Sequence, residues 1–271
     1  MKVFSVGNSF SGDSITLLST VANACGYSHF VFAFVHVRGS SLEDHYNNLL
    51  GEKPAYKYIE YDETGLREVT EDVSLFYGIE RHNWDIITFQ QGSGYSGKPE
   101  SITPFIKKLA NMVKSRAKRE DLRYFWHSTW AYPKDGVLTA YDNSQEVMYD
   151  AIINVAKTVT MPSGLYDKII PTGTAVQNMR GTLVGDNMNR DALHLERSYA
   201  RLTASLTWLK TLYPDANLNL ILEDQACLQI LEKGTQVLAE KGIMLSAVQL
   251  GRLSIDCANA AIKQPYEITK I

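Results

Sequence analysis

The sequence predicts an α/β fold built on a doubly wound parallel sheet, and three observations carry that reading. Short β-branched and aromatic runs alternate with helix-periodic segments at least four times along the chain. The first run, Val3-Phe4-Ser5-Val6, ends in Gly7-Asn8-Ser9 and passes at once into a helical pattern. No Pro-, Gly- or Ser-rich linker, internal repeat or low-complexity tract divides the 271 residues. A single domain over 1–271 is therefore expected, with a core over about 1–213 and a helical appendage over about 214–271.

The elements follow in order. Leu18, Val21, Ala22 and Cys25 sit at i, i+3, i+4 and i+7, one face of a helix that Gly26 stops. Phe30 to Val37 reads as a second strand, ending in Arg38-Gly39-Ser40-Ser41. Tyr56 to Val69 reads as a hairpin laid over one edge, and Ser74 to Ile79 as a short helix. Trp84 to Gln90 is the clearest central strand, broken by Gln91-Gly92-Ser93-Gly94. Thr103-Pro104 opens a helix as cap and first residue. Leu122 to His127 is a fourth strand, and Asn143 or Ser144 caps the next helix. Lys168 to Pro171 is a short fifth strand, followed by a polar loop and a helix that begins near His194 and ends at Pro214.

Composition narrows the function classes. A formal net charge of −3 gives no reason to expect nucleic acid or an anionic membrane as partner. No apolar run reaches the roughly 20 residues that span a bilayer. Cys25, Cys227 and Cys257 are odd in number and far apart, with neither zinc nor disulfide spacing, and read as buried free thiols. The first strand begins almost at Met1, so no secretory signal is read. A mature periplasmic or extracellular protein would read the same as a cytoplasmic one. Neither a P-loop nor a GxGxxG fingerprint occurs, and the histidines do not cluster at ligand spacing, so no cofactor or metal is expected. Oligomeric state is not legible.

The chemistry centres on Ser9. A serine at a strand–helix turn lies at the carboxyl edge of a parallel sheet, where α/β folds place their sites. A serine hydroxyl needs a base, and the base needs an orienting group. Asp191-Ala192-Leu193-His194 offers both within four residues. The backbone N–H groups of Ser9 and Gly39 and the Gln91 amide are candidate donors for a tetrahedral oxyanion. Asn8, Gln90, Tyr95 and Trp130 are candidate substrate contacts. Each feature has a plainer reading. Ser9 would serve as an N-cap, Asp191 as the cap of a helix that His194 starts, Gly39 as a turn residue and Gln91 as a turn-closing amide. Tyr95 and Trp130 would be ordinary loop packing. His127 reads as structural and His45 as a surface residue.

Gly7-Asn8-Ser9-Phe10, Gly39, Gln90-Gln91-Gly92-Ser93 and Asp191-x-x-His194 occur in the order of the conserved blocks of SGNH/GDSL hydrolases. The chain resembles that superfamily, and within it the Bacteroidetes-type bacterial hydrolases. The resemblance implies a flavodoxin-like three-layer α/β/α sandwich, here with a five-stranded parallel sheet. It also implies Ser9 as nucleophile, His194 as base and Asp191 as orienting acid. The first block reads Gly-Asn-Ser-Phe instead of Gly-Asp-Ser-Leu. The third lacks Gly-x-Asn-Asp, and its Gln91-Gly92 is similar to the pair found in carbohydrate O-acetylesterases. The expected activity is hydrolysis of small O-acyl esters, O-acetyl on carbohydrate foremost. The alternatives are a lipase, thioesterase or acyltransferase on the same site, or a non-catalytic glycan-binding domain.

Overall fold

The computed structural model describes residues 1–271. Its fold is α/β, with a seven-stranded, mostly parallel sheet and helices in the connections, the arrangement that a three-layer α/β/α sandwich requires. The strands are β1 (Lys2–Val6), β2 (Val31–His36), β3 (Tyr56–Asp62), β4 (Gly65–Val73), β5 (Ile86–Phe89), β6 (Arg123–His127) and β7 (Lys168–Ile170), in spatial order β4-β3-β2-β1-β5-β6-β7. β1 pairs in parallel with β2 and β5, and β5 with β6. All five strands expected from the sequence are present. The hairpin differs from expectation: β3 runs antiparallel to both β2 and β4, so it continues the sheet. Tyr56, Tyr58, Glu60 and Asp62 alternate inward along β3, a period-two face that demands a flat partner.

The helices are α1 (Ser9–Ile15), α2 (Leu18–Ala24), α3 (Leu42–Leu50), α4 (Leu75–Arg81), α5 (Thr103–Arg116), α6 (Gln145–Val155), α7 (Thr172–Arg180), α8 (Tyr199–Leu212), α9 (Gln225–Ala239) and α10 (Ala247–Lys263). The chain forms two compact units. One comprises residues 1–12, 29–129 and 150–169, and the other 13–28, 130–149 and 170–271.

In the first unit, one face of the sheet buries Phe4, Val6, Val35, Tyr58, Ile87 and Phe89 against Leu49 of α3, Ile79 of α4 and Leu109 and Val113 of α5. Each such side chain contributes about 1.5–3 kcal/mol by leaving water. α3 starts with a capping box, in which the Ser41 hydroxyl accepts from Asp44 N–H and the Asp44 carboxylate accepts from Ser41 N–H. Leu42, His45 and Leu49 share its inward face. His45 is therefore fully buried, with Nδ1 3.0 Å from the Tyr56 hydroxyl, and is not the surface residue the sequence suggested.

In the second unit, α8 packs against α2, α7 and α10. Ten of its first twelve residues have an apolar or small side chain, and only Arg201 and Lys210 escape full burial. α10 lies against α7, α8 and α9, so the C-terminal helices are integral to this unit's core. Two local expectations shift. α8 begins at Tyr199 and not near His194, because residues 189–195 close a loop with an Asn189–Leu195 bridge. α7 lies within the stretch expected to be loop.

Candidate functional site

β1 delivers the chain to Gly7-Asn8, and Ser9 opens α1 at the carboxyl end of the parallel strands. Asn8 fixes this turn. Its Oδ1 accepts from Phe10 N–H at 3.0 Å, an Asx turn, and its Nδ2 donates to Ser40 O at 3.1 Å. Gln90, at the end of β5, donates from Nε2 to Asn8 Oδ1 at 2.9 Å. Gln90 Oε1 accepts from the Ser11 hydroxyl at 2.7 Å and from His127 Nδ1–H at 2.8 Å. Burial pushes His127 down to about 3, so its ring is neutral. Ser5 and Thr88 extend the chain of hydroxyls behind Ser11. Gly7 is required here: a Cβ would stand 2.2 Å from Ser11 Oγ and 2.8 Å from Gln90.

Gly39 follows β2 with φ +66°, a left-handed conformation that suits glycine, and open space surrounds its Cα. The turn after β5 lies directly on this loop. A Cβ on Gly92 would fall 3.1 Å from Ser40 O and 3.2 Å from Gly39 O. Gln91 clamps the same junction. Its Oε1 accepts from Leu42 N–H at 2.9 Å and Gly92 N–H at 2.7 Å, and its Nε2 donates to Ser101 O and Oγ at 2.9 and 3.0 Å. Both amide hydrogens of Gln91 are thus engaged by Ser101. Of the four candidate substrate contacts, Tyr95 is exposed (49%), whereas Asn8 and Gln90 are buried with their polar atoms turned into the network above. Trp130 is fully buried and donates from Nε1 to Leu193 O at 2.8 Å. All three spend polar side-chain atoms on hydrogen bonds within their own units. A cavity of about 210 Å³ is lined by Ser41, Glu43, Asp44, Gln91, Tyr95 and Ser101.

Asp191 and His194 form a close pair in the second unit. His194 Nδ1–H donates to Asp191 Oδ2 at 2.9 Å. Asp191 Oδ1 also accepts from the N–H groups of His194 at 2.7 Å and Leu193 at 3.0 Å. Partial burial pushes the Asp191 carboxyl up, but the two backbone donors and the imidazole outweigh it and hold the group below the usual carboxylate range.

The loop that carries the pair is pinned from two sides. Buried Asp13 accepts from Arg190 Nη1 at 3.1 Å, Arg201 Nη2 at 2.5 Å and Leu195 N–H at 2.8 Å. Buried Arg180 donates from Nη2 to Asn189 Oδ1 at 2.8 Å and Ala131 O at 3.0 Å. Its Nε lies 2.9 Å from Asp186 Oδ1, off the line a hydrogen bond needs, so that contact is an ion pair only. Burial lowers Arg180 to about 10. Asn189 Nδ2 and Trp130 Nε1 both donate to Leu193 O. A cavity of about 350 Å³ opens beside Asp191, with Asp135, Asp186, Asn187, Asn189 and Arg190 in its wall. No three His, Cys, Asp or Glu side chains are grouped to hold a metal ion.

DUF4886, a domain of unknown function, matches residues 2–224. The chain belongs to the DUF4886 family. A crystal structure of a DUF4886 family protein from Bacteroides uniformis ATCC 8492 superposes with a TM-score of 0.86 at 29% identity, over 100% of this chain and 98% of that one. α9 and α10, beyond the DUF4886 match, lie within that superposition. The crystal structure of TesA matches with a TM-score of 0.48 at 13% identity, over 79% of this chain and 99% of that one. No curated protein matches the sequence.

Within this DUF4886 chain, sequence reasoning passed over Asp13, Arg180 and Arg201. Asp13 sits in α1 among Gly12, Ser14 and Ser11, with no pattern that marks burial. Its signal was available only in combination, as a carboxylate one helical turn past Ser9 and two arginines flanking His194.

Proposed function

We propose that this protein is a serine hydrolase of the SGNH type that cleaves small O-acyl esters of polar alcohols. Ser9 is the nucleophile, His194 the base and Asp191 the orienting acid. The observation that carries the reading is the Asp191–His194 pair. An aspartate fixed by two backbone donors holds Nδ1 protonated and leaves Nε2 as the basic nitrogen. A helix-capping aspartate alone would not need the imidazole, and no helix starts at His194.

In this mechanism Ser9 Oγ attacks the ester carbonyl carbon while His194 Nε2 takes its proton. The C=O π electrons move to the oxygen, which the N–H groups of Ser9 and Gly39 stabilise. Collapse of the intermediate expels the alkoxide, which receives the proton from His194. Water then attacks the acyl-enzyme, with His194 again as base, and releases the acid and free Ser9. Gln91 serves the oxyanion arm by fixing Gly92 and Leu42 beside Gly39, since its own hydrogens are engaged by Ser101. The polar wall of the cavity beside Asp191 supports a short acyl group on a hydroxyl-rich alcohol. A long acyl chain gains about 0.8 kcal/mol per buried CH₂ only where the wall is apolar.

A fluorophosphonate probe tests the reading. It should label the native protein and fail to label Ser9→Ala. Acetylated sugars should turn over faster than p-nitrophenyl esters of long acids. Folded protein that neither labels nor hydrolyses p-nitrophenyl acetate would overturn the assignment.

A further inference from the structure

We propose that Gln90 is a positioning residue that sets the nucleophile turn against the Gly39 loop, and that it acts through its amide donor. The inference rests on the hydrolase reading for its kinetic consequences, and on the first unit alone for its geometry.

Three separate chain segments meet at this side chain. Gln90 stands at the end of β5, receives Ser11 from α1 and His127 from β6 on Oε1, and gives Nε2–H to Asn8 Oδ1. Asn8 passes the constraint on, from Nδ2 to Ser40 O, one residue beyond Gly39. Every direction in this chain is determined. His127 is neutral and donates from Nδ1, and Ser11 spends its one hydrogen on the same Oε1. The Gln90 amide cannot flip, because Oε1 would then face Asn8 Oδ1, which Phe10 N–H requires to be an oxygen. Asn8 cannot flip either, because Phe10 N–H and Gln90 Nε2–H both require an oxygen. Phe10 N–H and Gln90 Nε2–H together hold Asn8 with its Nδ2 on Ser40 O, and Gln90 ties that anchor to the end of β5.

All of these groups are buried and internally bonded, so Gln90 has no surface with which to touch a substrate. What it controls is the separation between Ser9, next to Asn8, and Gly39, next to Ser40. Those two residues supply the nucleophile and both backbone oxyanion donors of the proposed reaction. A catalytic group displaced by about 1 Å costs on the order of 100-fold in rate.

The test uses Gln90→Met, which keeps the volume and removes both functions, and Gln90→Glu, which keeps the acceptor and removes the donor to Asn8. With p-nitrophenyl acetate, both variants should lose kcat by about 10- to 100-fold with KM unchanged within about twofold. Fluorophosphonate labelling should slow in step. A rise in KM at constant kcat would make Gln90 a binding residue and overturn the proposal. So would a Gln90→Glu variant with native kcat, since the donor to Asn8 would then be dispensable. Amide hydrogen exchange gives a readout independent of turnover. Residues 38–42 and 8–11 should exchange faster in Gln90→Met while β3 and β4 stay unchanged. Native exchange in 38–42 would refute the positioning role. Faster exchange there in a protein whose native form does not label would instead sink the hydrolase reading and leave the positioning role intact.

Discussion

Replacing Asp13 with alanine should weaken the second unit more than any surface change in the chain. The native carboxylate is buried and accepts from Arg190, Arg201 and Leu195 N–H. Its removal leaves Arg201 without its carboxylate, Arg190 with only its 3.8 Å contact to Asp191, and one buried N–H unsatisfied. Breaking a buried ion pair by deleting one partner costs about 3–5 kcal/mol. The Arg190 and Arg201 side chains keep 24% and 18% of their surface in water, which solvates part of the orphaned charge. The lower end, about 3 kcal/mol, is therefore expected. For a chain of this size that corresponds to a fall in Tm of about 6–12 °C. Asp13→Asn should fall nearly as far, because it keeps the shape but loses the charge and turns an NH₂ group toward arginine donors. Circular dichroism melts of the native protein and both variants at one pH and ionic strength measure this. A fall of under about 3 °C in Asp13→Ala would refute the reasoning and class the cluster with exposed ion pairs, whose worth is about 0–1 kcal/mol.

Three further outcomes are expected. Burial lowers His45 to about 4 and His127 to about 3, so both stay neutral in the fold after the unfolded chain has protonated near pH 6.5. The unfolded state then binds more protons, and stability falls with falling pH by about 2 kcal/mol per histidine between pH 7 and 5, read from urea midpoints; His45→Phe should remove about half of that slope. Gly92→Ala places a methyl within 3.1 Å of Ser40 O and should cost about 1–3 kcal/mol in a denaturant titration, with native stability as the contrary result. Tyr95→Ala should leave stability within about 0.5 kcal/mol, because the ring is half exposed, yet raise KM for an acetylated sugar; an unchanged KM would remove Tyr95 from the substrate surface.

The strands were legible because parallel strands are buried on both faces and read as near-continuous apolar runs, as Val3–Val6 and Ile86–Phe89 do with one small hydroxyl residue each. The Asp191–His194 pair was legible for a local reason: only two residues separate them, and the loop needs only to curl once to close the bond. Other features depend on tertiary contacts that no short window contains. α7, Thr-Gly-Thr-Ala-Val-Gln-Asn-Met-Arg, shows no apolar stripe because its polar side chains are bonded inside, Thr174 to Pro265 O and Asn178 to the backbone at Cys257 and Thr269. Trp130 follows a strand on the side where a rim residue is expected, but the 189–195 loop covers it and takes its indole hydrogen. His45 shows the opposite case. Its spacing from Leu42 and Leu49 marks an inward face, a signal that its polarity obscured.

The two supports differ in electrical character, and the difference suits the proposed roles. Gln90, Asn8, Ser11 and a neutral His127 place hydrogen bonds beneath the nucleophile turn without any net charge. A buried cation there would stabilise a serine alkoxide at rest, and a buried anion would oppose the oxyanion. The base needs the reverse, a carboxylate that stays charged. Arg190 lies nearby, with its Nε 3.8 Å from Asp191 Oδ2, and favours the charged carboxylate. Asp13 takes the Nη1 end of the same guanidinium and leaves Asp191 Oδ2 at 2.9 Å from His194. Asp13 lies four residues after Ser9 in α1, one helical turn.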